Sequence, residues 1–148
     1  MTQISAHFTL EELTFSQAAL RQGMDNAPPA DAVENLGRLC SALLEPIRML
    51  LAVPVHVDSG YRSPAVNAAV GGAKDSAHMT GRAADLVPIG MDLHAAFDAI
   101  RNSSLPFDQV IAECNAWIHV AIAADGHEPR RQALAAWGSP GNWHYVEA

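Results

Sequence analysis

The chain is 148 residues long, 49% hydrophobic, and carries a formal net charge of −7. That length and apolar content fit a single domain over residues 1–148 with a real buried core, and the acidic balance argues against a generic nucleic-acid surface. No run reaches the roughly 18 apolar residues that a membrane span needs. The start of the chain, Met1 to His7, lacks a basic region followed by an apolar core, so the expectation is a protein made in the cytoplasm without a signal peptide; a monomer is expected.

Thr9-Leu10-Glu11-Glu12 has the form of a capping box, with Phe8 and Leu13 placed as a hydrophobic staple, so a short helix should start there. Gly23 to Pro29 is a breaker cluster and reads as a loop. From Pro29 to Leu51 apolar residues recur at helical spacing: Val33, Leu36, Leu39, Cys40, Leu43, Leu44, Ile47, Leu50 and Leu51. This pattern predicts the main core helix. Pro46 should interrupt or kink it, because proline lacks a donor and clashes with the preceding turn. Val53 to Asp58 alternates as a strand. Ser59 to Lys74 reads as loop with a short helix over Ser63 to Val70, and Ala83 to Val87 as a strand carrying Asp85. Asp92 is placed to cap an amphipathic helix through Arg101, with Leu93, Ala96, Phe97 and Ile100 inward.

Asp108 to Glu113 and Trp117 to Ile122 read as a hairpin around Cys114-Asn115-Ala116. That loop would pair Glu113 with Trp117 and Ile111 with His119. Strand alternation then puts Val110, Ala112, Ile118, Val120 and Ile122 on one apolar face, and Gln109, Ile111, Glu113, Trp117 and His119 on the other. Glu113 and His119 become diagonal neighbours, roughly 7–8 Å apart at the backbone. The tail from Trp137 to Tyr145 is turn-rich, with one short strand at most. Of the two cysteines, Cys40 falls on the apolar face of the core helix and reads as a small buried hydrophobe. Cys114 sits in the hairpin turn, and without secretion a disulfide between the two is not expected.

The segment Ser76-Ala77-His78-Met79-Thr80-Gly81-Arg82-Ala83-Ala84-Asp85 carries the chemistry. Imidazole nitrogen and carboxylate oxygen both bind zinc at about 2.0–2.2 Å, and a third donor would leave a position open for water. Gly81 lets the backbone turn so that His78 and Asp85 can converge. Asp85 lies among Ala83, Ala84, Leu86 and Val87, and a buried carboxylate needs a partner such as a cation.

This decapeptide, S-x-H-x-x-G-x-A-x-D, resembles the M15 zinc peptidases that cut D-amino-acid bonds in peptidoglycan. Three further segments look like theirs: Ser59-Gly60-Tyr61-Arg62-Ser63-Pro64 with Asn67 and Gly71-Gly72, the strand Trp117-Ile118-His119-Val120, and the opening His7-Phe8-Thr9-Leu10-Glu11-Glu12-Leu13. The last is similar to the small D-Ala-D-Ala carboxypeptidase-like and phage endolysin-like branch. The resemblance spans roughly residues 7 to 135. It implies an α+β fold in which a small antiparallel sheet carries a zinc site and packs against several helices, as in Hedgehog and D-Ala-D-Ala peptidase-like folds.

The resemblance also implies roles. His78, Asp85 and His119 would hold Zn2+, although histidine with carboxylate also suits manganese or cobalt. His144 rivals His119 as third ligand, because Trp143-His144-Tyr145 resembles the ending of related branches. His7, His56, His94 and His127 have no such context. Arg62 would stabilise charge on the scissile carbonyl oxygen. Ser76 would bind a peptide group or terminal carboxylate, and Tyr61 and Trp117 would line the cleft. Many relatives place an acid three residues before the last zinc histidine; here that position is Ala116, and Glu113 is the candidate general base instead. The implied activity is D,D-carboxypeptidase or endopeptidase cleavage of peptidoglycan stem peptides, reached through lysis or a similar route. The alternative from another class is a non-catalytic zinc-containing wall-binding or phage structural module on the same fold.

Overall fold

The computed structural model describes all residues, Met1–Ala148. Its architecture is α+β, with six helices, α1 to α6, and one six-stranded sheet, β1 to β6. Helix α1 (Leu10–Thr14) begins with the capping box in place: Glu12 N–H donates to Thr9 Oγ1 and Thr9 N–H donates to Glu12 Oε1. Phe8 and Leu13 are both fully buried, so the staple fixes where the chain enters. Helix α2 (Gln17–Gln22) is an element the sequence pattern did not single out. Ser16 caps it, and Gly23 closes it in the left-handed conformation at φ 63°.

The core helix runs from Ala30 to Leu51 without a break. It is α-helical over α3 (Ala30–Leu39), π-helical over Cys40–Leu44, and α-helical again over α4 (Glu45–Leu51). The π turn lies just ahead of Pro46 and is how the helix absorbs that residue. Wider winding accommodates the missing N–H and the ring clash without ending the helix. Leu36, Leu39, Cys40, Leu43, Leu44 and Ile47 are all fully buried on its inner face. Burial pushes the Cys40 thiol up to about 11, as expected of an inert packing residue.

The strands are β1 (Val55–Ser59), β2 (Ala83–Pro88), β3 (Gln109–Glu113), β4 (Trp117–Ala121), β5 (Gln132–Ser139) and β6 (Asn142–Glu147), in the order β1-β2-β4-β3-β5-β6. Neighbours are antiparallel except β3 and β5, which run parallel. The β3–β4 hairpin has the expected register, with Glu113 opposite Trp117 and Ile111 opposite His119. Its turn carries Cys114 and Asn115 at φ 53° and 52°, closed by a bond from Ala116 N–H to the Glu113 carbonyl. Two consecutive positive φ values suit the right-handed twist of the flanking strands.

The tail corrects the sequence reading. It forms two paired strands rather than one, and the hairpin turn is Ser139-Pro140-Gly141-Asn142. Proline at the first corner and glycine at the second, with φ 81°, is the pattern of a type II turn.

Val110, Ala112, Ile118 and Val120 face the helices and are buried in the main core. Helix α6 (Leu93–Arg101), capped by Asp92, lays Ala96, Phe97 and Ile100 on that face. Helix α5 (Pro64–Ala69) lies on the long connection between β1 and β2. The opposite face of the sheet is left to the site. No helix is long and apolar enough to cross a membrane.

Candidate metal centre

Three elements converge on the free face of the sheet. β2 carries Asp85, its neighbour β4 carries His119 directly opposite, and a 3₁₀ turn, Ala77–Thr80, carries His78. The turn depends on Gly81. Its φ is 76°, and an added Cβ there would run into the Ala32 carbonyl oxygen on α3. Ser76 starts the turn, its Oγ accepting from His78 N–H at 3.2 Å. All three side chains are buried. Their donor atoms lie within 4.8 Å of one another, a group that could hold a metal ion.

Asp85 Oδ1 lies 3.0 Å from His119 Nδ1 and 3.3 Å from His78 Nε2. His78 Nδ1 sits 2.7 Å from the Gly60 carbonyl. A carbonyl oxygen only accepts, so Nδ1 carries the proton and the lone pair is on Nε2. That Nε2 is buried with no hydrogen bond. Its lone pair therefore faces a carboxylate oxygen, an arrangement that is unfavourable unless a cation sits between them. The Gly60 bond is also the kind of outer support that metal-binding histidines use to fix their tautomer. These residues fit a divalent cation.

The charges respond accordingly. Burial alone would raise the Asp85 carboxyl, but the facing His78 and His119 hold it well below the usual carboxylate range. Burial lowers His78 despite Asp85. Burial would also lower His119, but its bond to Asp85 and that residue's charge outweigh this and raise it. On the far side of Asp85, Arg62 Nη2 lies 3.3 Å from Oδ2. The same guanidinium donates to Asn67 Oδ1 and Ser59 Oγ, so three protein acceptors orient it.

Glu113 points to the same face from β3. Its Oε2 accepts a 2.7 Å bond from Trp117 Nε1, its cross-strand partner. Burial and the charge of Asp85 push its carboxyl upward, against the pull of His119, Trp117 and Arg62. Ala116 lies in the exposed turn and brings no side chain to the site.

The cleft over this centre has a volume of about 730 Å³. Arg62, Ser76, Glu113 and Trp117 line it together with His78, Asp85 and His119. Tyr61 does not. It is 4% exposed and packed in the main core, since Gly60 and Tyr61 turn inward against α1, where Tyr61 N–H donates to the Leu13 carbonyl. An aromatic beside a loop arginine reads equally well as cleft wall or core, and here the core takes it.

His144 also lies apart from the centre. It is on β6, stacked on Trp137 with ring centroids 5.7 Å apart. Cys114 is exposed and outside the cluster, and His7 is tied to Glu45 at 2.6 Å. Sequence reasoning missed Trp143 and Tyr145, which line the cleft from β6. Aromatics at alternate positions just after Pro140-Gly141 were the signal that could have found them.

The sequence model of the peptidase M15 family matches residues 6–121, more than half of the chain. That stretch includes the whole His-Asp-His cluster, Arg62 and Glu113. A search of curated proteins finds no match.

Proposed function

The chain belongs to the peptidase M15 family, whose members are metal-dependent, and on that premise we propose that residues 1–148 form one zinc hydrolase domain cleaving amide bonds in peptidoglycan stem peptides. The observation that carries this reading is the buried, unpartnered Nε2 of His78 aimed at Asp85 beside His119. His78, Asp85 and His119 hold the ion, with zinc the assignment that the donor set and the family favour. Zinc, when bound, supplies Lewis acidity and lowers the pKa of water.

The chain's own residues do the rest. Glu113 takes the proton from the attacking water and returns it to the leaving amide nitrogen. Its raised pKa suits both halves of that task. Glu113 stands diagonal to His119 on the neighbouring strand, with its side chain on the same face of the sheet. Trp117 fixes the carboxylate's orientation. Arg62 has five N–H groups and three protein acceptors, which leaves donors for a substrate oxygen. Ser76 lines the same cleft and offers its hydroxyl to a peptide group or terminal carboxylate.

The test is digestion of purified peptidoglycan by metal-analysed protein, with and without chelator, read by mass spectrometry of the released fragments. New amine termini that require about one bound zinc per chain support the peptidase and name the bond. Bound zinc with no cleavage across several wall types would replace it with the wall-binding module.

A further inference from the structure

The β5–β6 hairpin lies outside the stretch that matches the family, which ends at residue 121, yet it forms one wall of the cleft. Four residues stand in a row across the sheet. Trp117 pairs with Glu113, Glu113 with Ala136, and Ala136 with Tyr145. Paired residues on adjacent strands point to the same face, so all four face the site. Strands are spaced about 4.8 Å apart, which puts the Glu113 and Tyr145 backbones roughly 10 Å apart. Between them Ala136 is buried and packs with Ile111 and Leu134. The Glu113 carboxylate and the Tyr145 phenol therefore enter the same cleft from strands on either side of a small buried residue.

Tyr145 is 49% exposed and lines the cleft. Burial, with the charges of Glu113 and Asp85, raises its pKa. The phenol thus stays protonated at neutral pH and acts as a donor. Its position is held from two directions. β5 is zipped to β3 along five pairs, Gln109 with Gln132 through Glu113 with Ala136. The hairpin tip rests on the loop after α5, where a Cβ on Gly71 would come 2.7 Å from Pro140 Cβ and 3.0 Å from Gly141 N.

We propose that Tyr145 is a substrate-binding residue: its hydroxyl donates a hydrogen bond to a backbone carbonyl oxygen of the peptide lying in the cleft, two strands away from Glu113. The bond goes to a peptide group flanking the scissile one, because two strand spacings separate Tyr145 from the proton-transferring carboxylate. It is made equally in the ground state and in the transition state, so its loss raises KM and leaves kcat in place. This inference rests on the peptidase reading above.

The experiment uses the full zinc-loaded chain and soluble peptidoglycan stem peptides. Steady-state kinetics are measured for wild type, Tyr145→Phe and His144→Ala, and binding of the same peptides is measured calorimetrically in chelator. Tyr145→Phe keeps the ring and removes only the hydroxyl. His144 neighbours it but points to the other face, against Trp137, so its substitution reports on hairpin integrity alone.

Tyr145→Phe should raise KM and the binding constant about 2- to 10-fold, the range for one neutral hydrogen bond, with kcat within about twofold. His144→Ala should match wild type. A wild type that cleaves while Tyr145→Phe is unchanged, or an equal loss in His144→Ala, overturns the role of Tyr145 and leaves the peptidase standing. A wild type that neither cleaves nor binds these peptides overturns the peptidase reading and this inference with it.

Discussion

Replacing Trp117 with phenylalanine tests the link between Glu113 and its environment. The substitution removes the indole N–H that donates to Glu113 Oε2 at 2.7 Å and keeps an aromatic ring at the same strand position. A hydrogen bond to a charged group contributes about 1.5–3 kcal/mol to the ionised form, which converts to roughly 1–2 pKa units. Burial and the charge of Asp85 already push Glu113 above its ordinary value, so losing this donor moves it further up. The sign follows from its proposed role. A general base works only when ionised, so a higher pKa costs rate at low pH and nothing once the pH is well above it. The assay is kcat/KM on soluble wall fragments from about pH 5 to 9. The acid limb of Trp117→Phe should shift upward by about 1–2 units, with near wild-type rates on the plateau. A loss of equal size at every pH would refute the reasoning and make Trp117 a packing or substrate contact.

Substituting His78 or Asp85 with alanine should remove bound metal and activity together, as read by elemental analysis of the purified chain. In the wild type, zinc at about one hundred times its dissociation constant should stabilise by about 2.7 kcal/mol, or roughly 5–10 °C in Tm; the alanine variants should show no such shift in a thermal melt. Metal affinity should fall on acidification, because the ligating imidazoles must be neutral. Asp85 raises His119 above the usual 6.5, so a competition titration should show the decline beginning above that pH. Gly81→Ala should destabilise by about 2–5 kcal/mol in urea unfolding, from the left-handed backbone and the contact with the Ala32 carbonyl. A value below about 1 kcal/mol would mean that the turn relaxes freely.

Local patterns carry much of this protein. The capping box at Thr9, the apolar period from Pro29 to Leu51 and the three-residue loop after Glu113 each define an element from neighbouring residues alone. Once a hairpin loop is fixed, strand alternation decides which side chains share a face. That is why the order of residues alone groups His119, Glu113 and Trp117 as one cleft-facing set. His78 and Asp85 are legible together because the short turn that carries one leads directly, through Gly81, into the strand that carries the other.

Whatever depends on long-range pairing is not legible in this way. Nothing near Gln132–Ser139 says that this strand will run parallel to β3, since such a pairing joins segments far apart in the chain and is set by the packing of the whole sheet. That pairing carries Trp143 and Tyr145 into the cleft and leaves His144 on the other face, apart from the metal centre. Tyr61 goes the other way for a similar reason: its neighbours leave open whether an aromatic ring lines a cleft or fills a core, and the position of α1 settles it. The order of residues thus selects which side chains could do the chemistry and the local turns that present them. Only the packed sheet brings Asp85 to face two histidines at 3.0 and 3.3 Å, because those distances exist only after strands from separate parts of the chain have aligned.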